Sequence, residues 1–185
     1  MTFTADPLPV LGDVWVITPR VFPDERGDFF ESWQAGKFRN IGIDVIFVQD
    51  NQSSSRRGVV RGLHYQIPPH AQAKLLRASS GRVFDVAVDL RESSPTFGQW
   101  DGLILSDATK QMMWIPRGFA HGYIALTDDA VVAYKTTAVY SAEAERSIRW
   151  NDPAIGIDWP EVADGPILSL RDADAPLLAD ADTFA

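Results

Sequence analysis

The segment Val83-Phe84-Asp85-Val86-Ala87-Val88-Asp89-Leu90 alternates without a break. Phe84, Val86, Val88 and Leu90 fall on one side of an extended chain, and Val83, Asp85, Ala87 and Asp89 on the other. Period two is the mark of a β-strand, because successive Cβ atoms point to opposite faces of a sheet. The wholly apolar side is expected in a core and the other, with its two carboxylates, is the more polar face. Working outward, similar runs are expected to form strands at Val14–Phe22, Asp28–Trp33, Val45–Asn51, Gly58–Gln66, Lys74–Ser79, Gln99–Leu105, Gln111–Ile115, Gly122–Leu126 and Ala130–Tyr140. Gly, Pro, Asp and Ser separate them at short intervals, which is turn chemistry. Many short strands with tight turns between them read as a mainly all-β sandwich or jelly-roll barrel.

Two short helices fit this class, at Trp33–Ile41 and Ala142–Arg146. After Trp150 the chain holds Pro153, Pro160, Pro166 and Pro176 among many Asp and Ala residues, so an ordered wrap with short helical turns is expected from about 150 to 185 rather than more sheet. With 185 residues the chain suits one domain, 1–185, and is short for two.

Composition removes several classes of function. A net charge of −8 opposes broad binding to nucleic acid or anionic membrane, although a few Arg and Lys gathered in one pocket can still hold a compact anion. With no Cys, neither disulfides nor thiol nucleophiles are available, which suits a reducing compartment. The start MTFTADPLPV has no signal-peptide pattern and no apolar run is long enough for a bilayer, so a cytoplasmic protein is expected. Neither a G-x-G-x-x-G nor a G-x-x-x-x-G-K-[ST] phosphate loop occurs, and there is no G-x-S-x-G elbow. The three histidines, His64, His70 and His121, lack H-x-H spacing, and a three-His metal site would use all of them, so no metal is expected. What remains is acid–base chemistry by His, Tyr, Asp and Lys. Imidazole suits removal of a carbon-bound proton beside a ketone, since its ordinary pKa of about 6.5 lies near working pH.

Several longer motifs then occur in order: Asp24-Glu-Arg-Gly27, Gly58-Val-Val-Arg-Gly-Leu-His-Tyr-Gln66, Val83-Phe-Asp-Val-Ala-Val-Asp-Leu-Arg91, Ser94-Pro-Thr-Phe-Gly98, Trp114-Ile-Pro-Arg-Gly-Phe-Ala-His-Gly122 and Trp150-Asn-Asp-Pro153. Together, from about Val14 to about Asp174, they resemble the dTDP-4-dehydrorhamnose 3,5-epimerase family. The resemblance implies a cupin-type jelly roll, usually a homodimer, without metal or coenzyme. The implied substrate is a dTDP-4-keto-6-deoxyhexose. It also implies roles: His64 as base, Asp172 as its carboxylate partner, Tyr134 as the acid on the opposite face, and Lys74 as the cation near the sugar C4 oxygen. By the same matching Arg26, Glu31, Gln49, Asn51, Arg61, His121, Glu145 and Arg171 resemble contacts to nucleotide, diphosphate and sugar, and Phe29 and Tyr140 resemble aromatic residues bordering the base or sugar. Arg171 stands where many relatives carry Lys, which keeps the charge but not the geometry.

The chemistry is coherent. The hydrogens on C3 and C5 of a 4-ketohexose are both α to the carbonyl, so removing either makes an enolate whose oxygen needs a cation, and inversion needs a proton from the other face. A monoepimerase of a related sugar would use nearly the same residues. A metal-dependent cupin and a non-catalytic sugar-binding barrel are the competing classes; metal analysis tests the first and exchange of ring hydrogens the second. One geometric difficulty stands out. Arg61 and His64 are three apart, so a regular strand sends them to opposite faces, and if both meet the ligand the strand must be irregular near Gly62.

Overall fold

In the computed structural model, which describes residues 2–185, strands dominate. In chain order they are β1 (Phe3–Pro7), β2 (Trp15–Pro19), β3 (Val21–Asp24), β4 (Gly27–Phe30), β5 (Gln49–Ser55), β6 (Val60–Gln66), β7 (Lys74–Ser80), β8 (Arg82–Asp89), β9 (Trp100–Ser106), β10 (Met112–Ile115), β11 (Phe119–Ala125), β12 (Ala130–Thr136) and β13 (Glu145–Ser147). Two short helices, α1 (Ala35–Asn40) and α2 (Leu170–Ala173), and a 3₁₀ turn at Leu178–Asp180 complete the elements.

One sheet has the order β1-β2-β10-β7-β12-β5 and the other β13-β6-β11-β8-β9, while β3 and β4 form a separate hairpin. From β5 to β13 every connection except the β8–β9 hairpin crosses from one sheet to the other. This is the expected jelly roll. Leu76, Val83, Ala87, Met113, Ile115, Phe119 and Val132 fill the space between the sheets.

Both outer faces are also covered. Phe38 of α1, with Ile43, packs on Ile17, Leu75, Met112 and Trp114 of the six-stranded sheet. The chain after 150 packs Ile155, Trp159 and Phe184 against Leu63, Val88, Leu90 and Ala120 of the five-stranded sheet. Backbone bonds from Val60 N–H to Ile167 O and from Phe184 N–H to Leu90 O stitch it down, so the expected wrap is present.

This layering changes the reading of β8. Its apolar side, with Val88 and Leu90, meets the wrapping tail rather than the barrel interior, whereas Val83 and Ala87 face the interior beside Asp85 and Asp89, both 0% exposed. The more polar face is therefore the inner one, because the barrel encloses a polar pocket.

Some boundaries differ from expectation. The strand expected over Val14–Phe22 divides at Arg20 into β2 and β3, and the run Asp28–Trp33 is paired only as far as Phe30. The alternation over Val45–Phe47 marks packing outside a strand: Val45 and Phe47 lie on the outer cluster, the Val48 N–H bonds to the Thr136 carbonyl of β12, and β5 begins only at Gln49. β12 ends at Thr136, short of Tyr140. The Ala- and Glu-rich stretch expected as a helix over Ala142–Arg146 is a turn running into β13, whose pairing with β6 overrides weak helix propensity. Strand β1 was not expected; it sits at a sheet edge, where a terminal Pro7 is tolerated.

Candidate active site

A pocket opens between the sheets, with β5, β7 and β12 on one side and β6, β11 and β13 on the other. The pairing of β6 with β11 explains how His64 and Arg61 both reach it. His64 lies opposite His121 and Arg61 opposite Tyr123, so three steps on β6 match two on β11. The extra residue is a bulge that restores a common face. Gly62 makes it feasible: its φ is +142°, and a Cβ there would lie 2.5 Å from the Gly122 Cα.

His64 binds Asp172 through Nε2, 2.5 Å from Oδ1. The short α2 presents this carboxylate. Ser169 caps α2, accepting from the Asp172 N–H at 3.1 Å and donating its hydroxyl to Asp172 Oδ2 at 2.8 Å. Both carboxylate oxygens are thus engaged, and the Asp172 side chain is only 6% exposed against 32% for His64. Tyr134 enters from β12 on the facing sheet, between Asn51 of β5 and Leu76 of β7. Lys74, 8% exposed at the start of β7, donates to the His64 carbonyl at 3.2 Å.

At the pocket lip Glu145 Oε2 accepts from Arg171 Nη1 at 2.6 Å and from the Tyr140 hydroxyl at 2.7 Å. Gln49 and Asn51 bond to each other on β5, and Gln49 also accepts the Tyr140 N–H. Arg61 donates to Ser55 Oγ and to the Ser54 carbonyl. His121 is bonded to the buried Asp85 through Nε2, 2.9 Å from Oδ1.

Of the residues selected from sequence, Asp172 and Arg171 stand behind the pocket wall, bonded to His64 and Glu145, and three lie away from it altogether. Arg26 pairs with Asp24 and its side chain is 84% exposed, Phe29 is 70% exposed, and Glu31 binds Lys37. Arg26 and Phe29 belong to the β3–β4 hairpin and Glu31 follows it directly. Among the described residues no group of three or more His, Asp or Glu is placed to hold a metal ion.

Comparison with known proteins bears on this geometry. The model of the family described as dTDP-4-dehydrorhamnose 3,5-epimerase matches residues 9–180. A dTDP-4-dehydrorhamnose 3,5-epimerase of Pseudomonas aeruginosa is 56% identical over 173 residues, covering 93% of this chain and 94% of the relative. The one from Salmonella typhimurium is 54% identical, with 90% and 91% covered. The chain belongs to this family.

Among solved structures, the Legionella pneumophila dTDP-6-deoxy-D-glucose-3,5-epimerase in complex with dTDP-4-keto-L-rhamnose superposes with a TM-score of 0.92 at 47% identity, covering 97% of this chain and 95% of that one. The cupin-type fold of such epimerases is therefore the fold of this chain as well.

Within this member of the dTDP-4-dehydrorhamnose 3,5-epimerase family, burial and charge set the proton states. Burial pushes the Asp172 carboxyl up, but the His64 hydrogen bond and charge, the Ser169 hydroxyl and Arg171 together hold it below the ordinary carboxylate range. Burial pulls the Lys74 ammonium down to about 8, against the opposing fields of Asp85 and Glu145. Burial raises the Tyr134 phenol, Tyr123 raises it further and Arg61 offsets part of the shift, so it stays protonated at neutral pH. Burial lowers His121, with Asp85 opposing.

Sequence reading missed several supports of this epimerase-family site. Gln66 donates to the Val139 carbonyl and accepts the Ser141 N–H, and Gln72 donates to the Ala138 carbonyl, fixing the segment that carries Tyr140. Ser55 holds Arg61, and Asp85 holds His121. Only Ser169 had a readable signal, the Ser-x-x-Asp spacing of a capping box.

Proposed function

We propose that this chain is a dTDP-4-dehydrorhamnose 3,5-epimerase, an isomerase that inverts C3 and C5 of dTDP-4-dehydro-6-deoxy-D-glucose through an enolate and yields dTDP-4-dehydro-L-rhamnose. What carries this reading is the opposition of His64 with Asp172 on one sheet to the Tyr134 phenol on the other, across one pocket. With Nε2 committed to Asp172, the other imidazole nitrogen takes a proton from a carbon α to the C4 ketone. The C–H electron pair forms the C=C bond and charge moves to the C4 oxygen, where Lys74 stabilises it. Tyr134 then gives its proton to the same carbon from the opposite face, and the configuration inverts. Asp172 fixes the ring of His64 and stabilises the imidazolium that forms.

Gln49, Asn51, Arg61, His121, Tyr140, Glu145 and Arg171 hold the nucleotide sugar in this reading. Arg is apt for diphosphate because its planar fork can donate two parallel bonds. The assembly is a homodimer of single-domain chains, with Arg26, Phe29 and Glu31 of one copy completing the pocket of the other. Two observations support this: their distance from the pocket in their own chain, and the exposed Phe22 and Phe29 rings, 43% and 70% accessible. No described helix is long and apolar enough to cross a membrane, which accords with a cytoplasmic enzyme.

Proton NMR of dTDP-4-dehydro-6-deoxy-D-glucose in D₂O tests the activity. Deuterium is expected at both C3 and C5 with the natural chain and at neither with His64→Ala. Entry at one carbon would make it a monoepimerase, and entry at neither would overturn the reading. The dimer is tested by light scattering and by mixing Arg26→Ala with His64→Ala: a shared pocket regains activity in the mixture, and chains that stay monomeric do not.

A further inference from the structure

Of the buried carboxylates that the acid–base chemistry above leaves unused, Asp85, Asp89 and Asp152, one is bonded to a residue of the pocket wall. Asp85 of β8 is 0% exposed, in the interior of the barrel. Its Oδ1 lies 2.9 Å from His121 Nε2, and its Oδ2 is buried with no hydrogen-bond partner among the described residues. A carboxylate desolvated this far costs several kcal/mol in isolation, so such a group is ordinarily fully bonded or neutral. It is bonded to one polar group of the pocket, the imidazole of His121, and its charge acts on another, the ammonium of Lys74, each only 8% exposed.

We infer that Asp85 is a positioning residue of the epimerase: its Oδ1 fixes His121 as the Nε2–H tautomer, and the charge on its unbonded Oδ2 keeps Lys74 an ammonium inside the barrel. The inference rests on the assignment of Lys74 to the C4 oxygen only for its effect on turnover.

The first half follows from bonding. An imidazole whose Nε2–H donates to a carboxylate has its other nitrogen bare, and since His121 lines the pocket, that nitrogen is an acceptor for a sugar hydroxyl. Burial keeps the ring neutral and sustains this acceptor. The second half follows from the surroundings of Lys74. The titratable groups that share the pocket with it are Arg61, His64 and Tyr65 on β6, His121 and Tyr123 on β11, Tyr134 on β12, Tyr140, and Glu145 on β13, with Asp85 on β8 behind His121. Of these only the carboxylates Asp85 and Glu145 favour its charge, and Glu145 is already neutralised by Arg171. Asp85 has no such counter-ion among the described residues; its one protein bond is to His121, so its field is left to act on Lys74.

The test uses the ligand-free full chain and Asp85→Asn, which keeps shape and an acceptor but removes the charge. In the natural chain ¹⁵N NMR is expected to show His121 protonated at Nε2, and ¹³Cε-lysine NMR to show Lys74 titrating well below an ordinary lysine. In Asp85→Asn the Lys74 titration moves further down by on the order of one unit, and the alkaline limb of kcat moves with it. If the two titrations behave so while the alkaline limb stays put, the role of Asp85 stands and the assignment of Lys74 to the enolate falls. A Lys74 titration unmoved by Asp85→Asn, with activity lowered equally at every pH, would overturn the inference. Should the variant not fold, the natural chain decides: His121 protonated on the other nitrogen overturns it.

Discussion

Asp172→Ala removes the anchor of His64 without touching the pocket wall, and its cost can be worked from the geometry. The Asp172 side chain is 6% exposed and takes the His64 hydrogen bond at 2.5 Å, a charge-assisted contact in a dry setting. Such bonds contribute about 1.5–3 kcal/mol. If that is stabilisation of the imidazolium formed as the proton leaves carbon, kcat falls by about 10- to 150-fold, since each 1.36 kcal/mol added to the activation barrier is tenfold in rate. Asp172→Asn should be milder. Its carbonyl can face His64 while its amide faces Ser169, whose hydroxyl can turn to accept, so the ring stays oriented and only the charge is lost. Taking neutral bonds at about 0.5–1.5 kcal/mol, the difference of about 1–1.5 kcal/mol corresponds to a loss of about 5- to 13-fold. The assay is initial-rate deuterium uptake at C3 and C5, with KM measured alongside and expected to hold within about twofold. A kcat for Asp172→Ala within threefold of the natural chain, or a loss confined to KM, would refute the reasoning.

Further outcomes follow from other parts of the site and scaffold. Tyr134→Phe should slow product formation by about 10²- to 10⁴-fold while deuterium still enters with retention, because His64 can return a proton to the face it came from; equal loss of exchange and inversion would place the acid elsewhere. Asp89 accepts bonds from Arg91, Ser94 and Thr96, and although burial opposes its charge, these hold its carboxyl down at about 2. A folded value below the unfolded one of about 3.9 stabilises fully above that pH and fades as pH falls toward 2, so Asp89→Asn should cost roughly 2 kcal/mol at pH 7 in denaturant titration and the difference should shrink in acid. Gly62→Ala should lower stability by about 2 kcal/mol or more, read as the melting temperature, since its Cβ would sit 2.5 Å from the Gly122 Cα at a φ of +142°.

The period-two runs reported the strands because pairing and packing both act with that period; their number and spacing left a sandwich or a jelly roll, and the family resemblance chose the jelly roll. Where pattern and pairing separate, the sequence misled. Val45 and Phe47 alternate with exposed Ile46 and Val48 while lying unpaired against the outer cluster, and β8 buries both sides, so its apolar face could not be assigned to the inside. The residues to which the resemblance assigns the chemistry, His64, Lys74, Tyr134 and Asp172, do come together in the fold, whereas the residues that support them could not be read. Ser55 steadies Arg61 and Gln66 fixes the Tyr140 segment through contacts 6 to 75 positions away, and nothing local in a lone Ser or Gln declares them. The bulge at Gly62 is an instructive middle case: the spacing of Arg61 and His64 demanded an irregularity, and the pairing of β6 with β11 supplies it.

His64 meets Asp172 across 108 positions of chain, through a segment that packs on the barrel only from outside. During synthesis the last barrel strand, β13, precedes that carboxylate, so the strands can pair while His64 is still unaccompanied. The same separation applies to the finished molecule: a protease that nicked the wrap ahead of Ser169 and let it drift away would leave most of the strands paired and disarm the chemistry. With His64 and Asp172 in the roles proposed above, turnover gauges the seating of the segment around Ser169 as much as the integrity of the core.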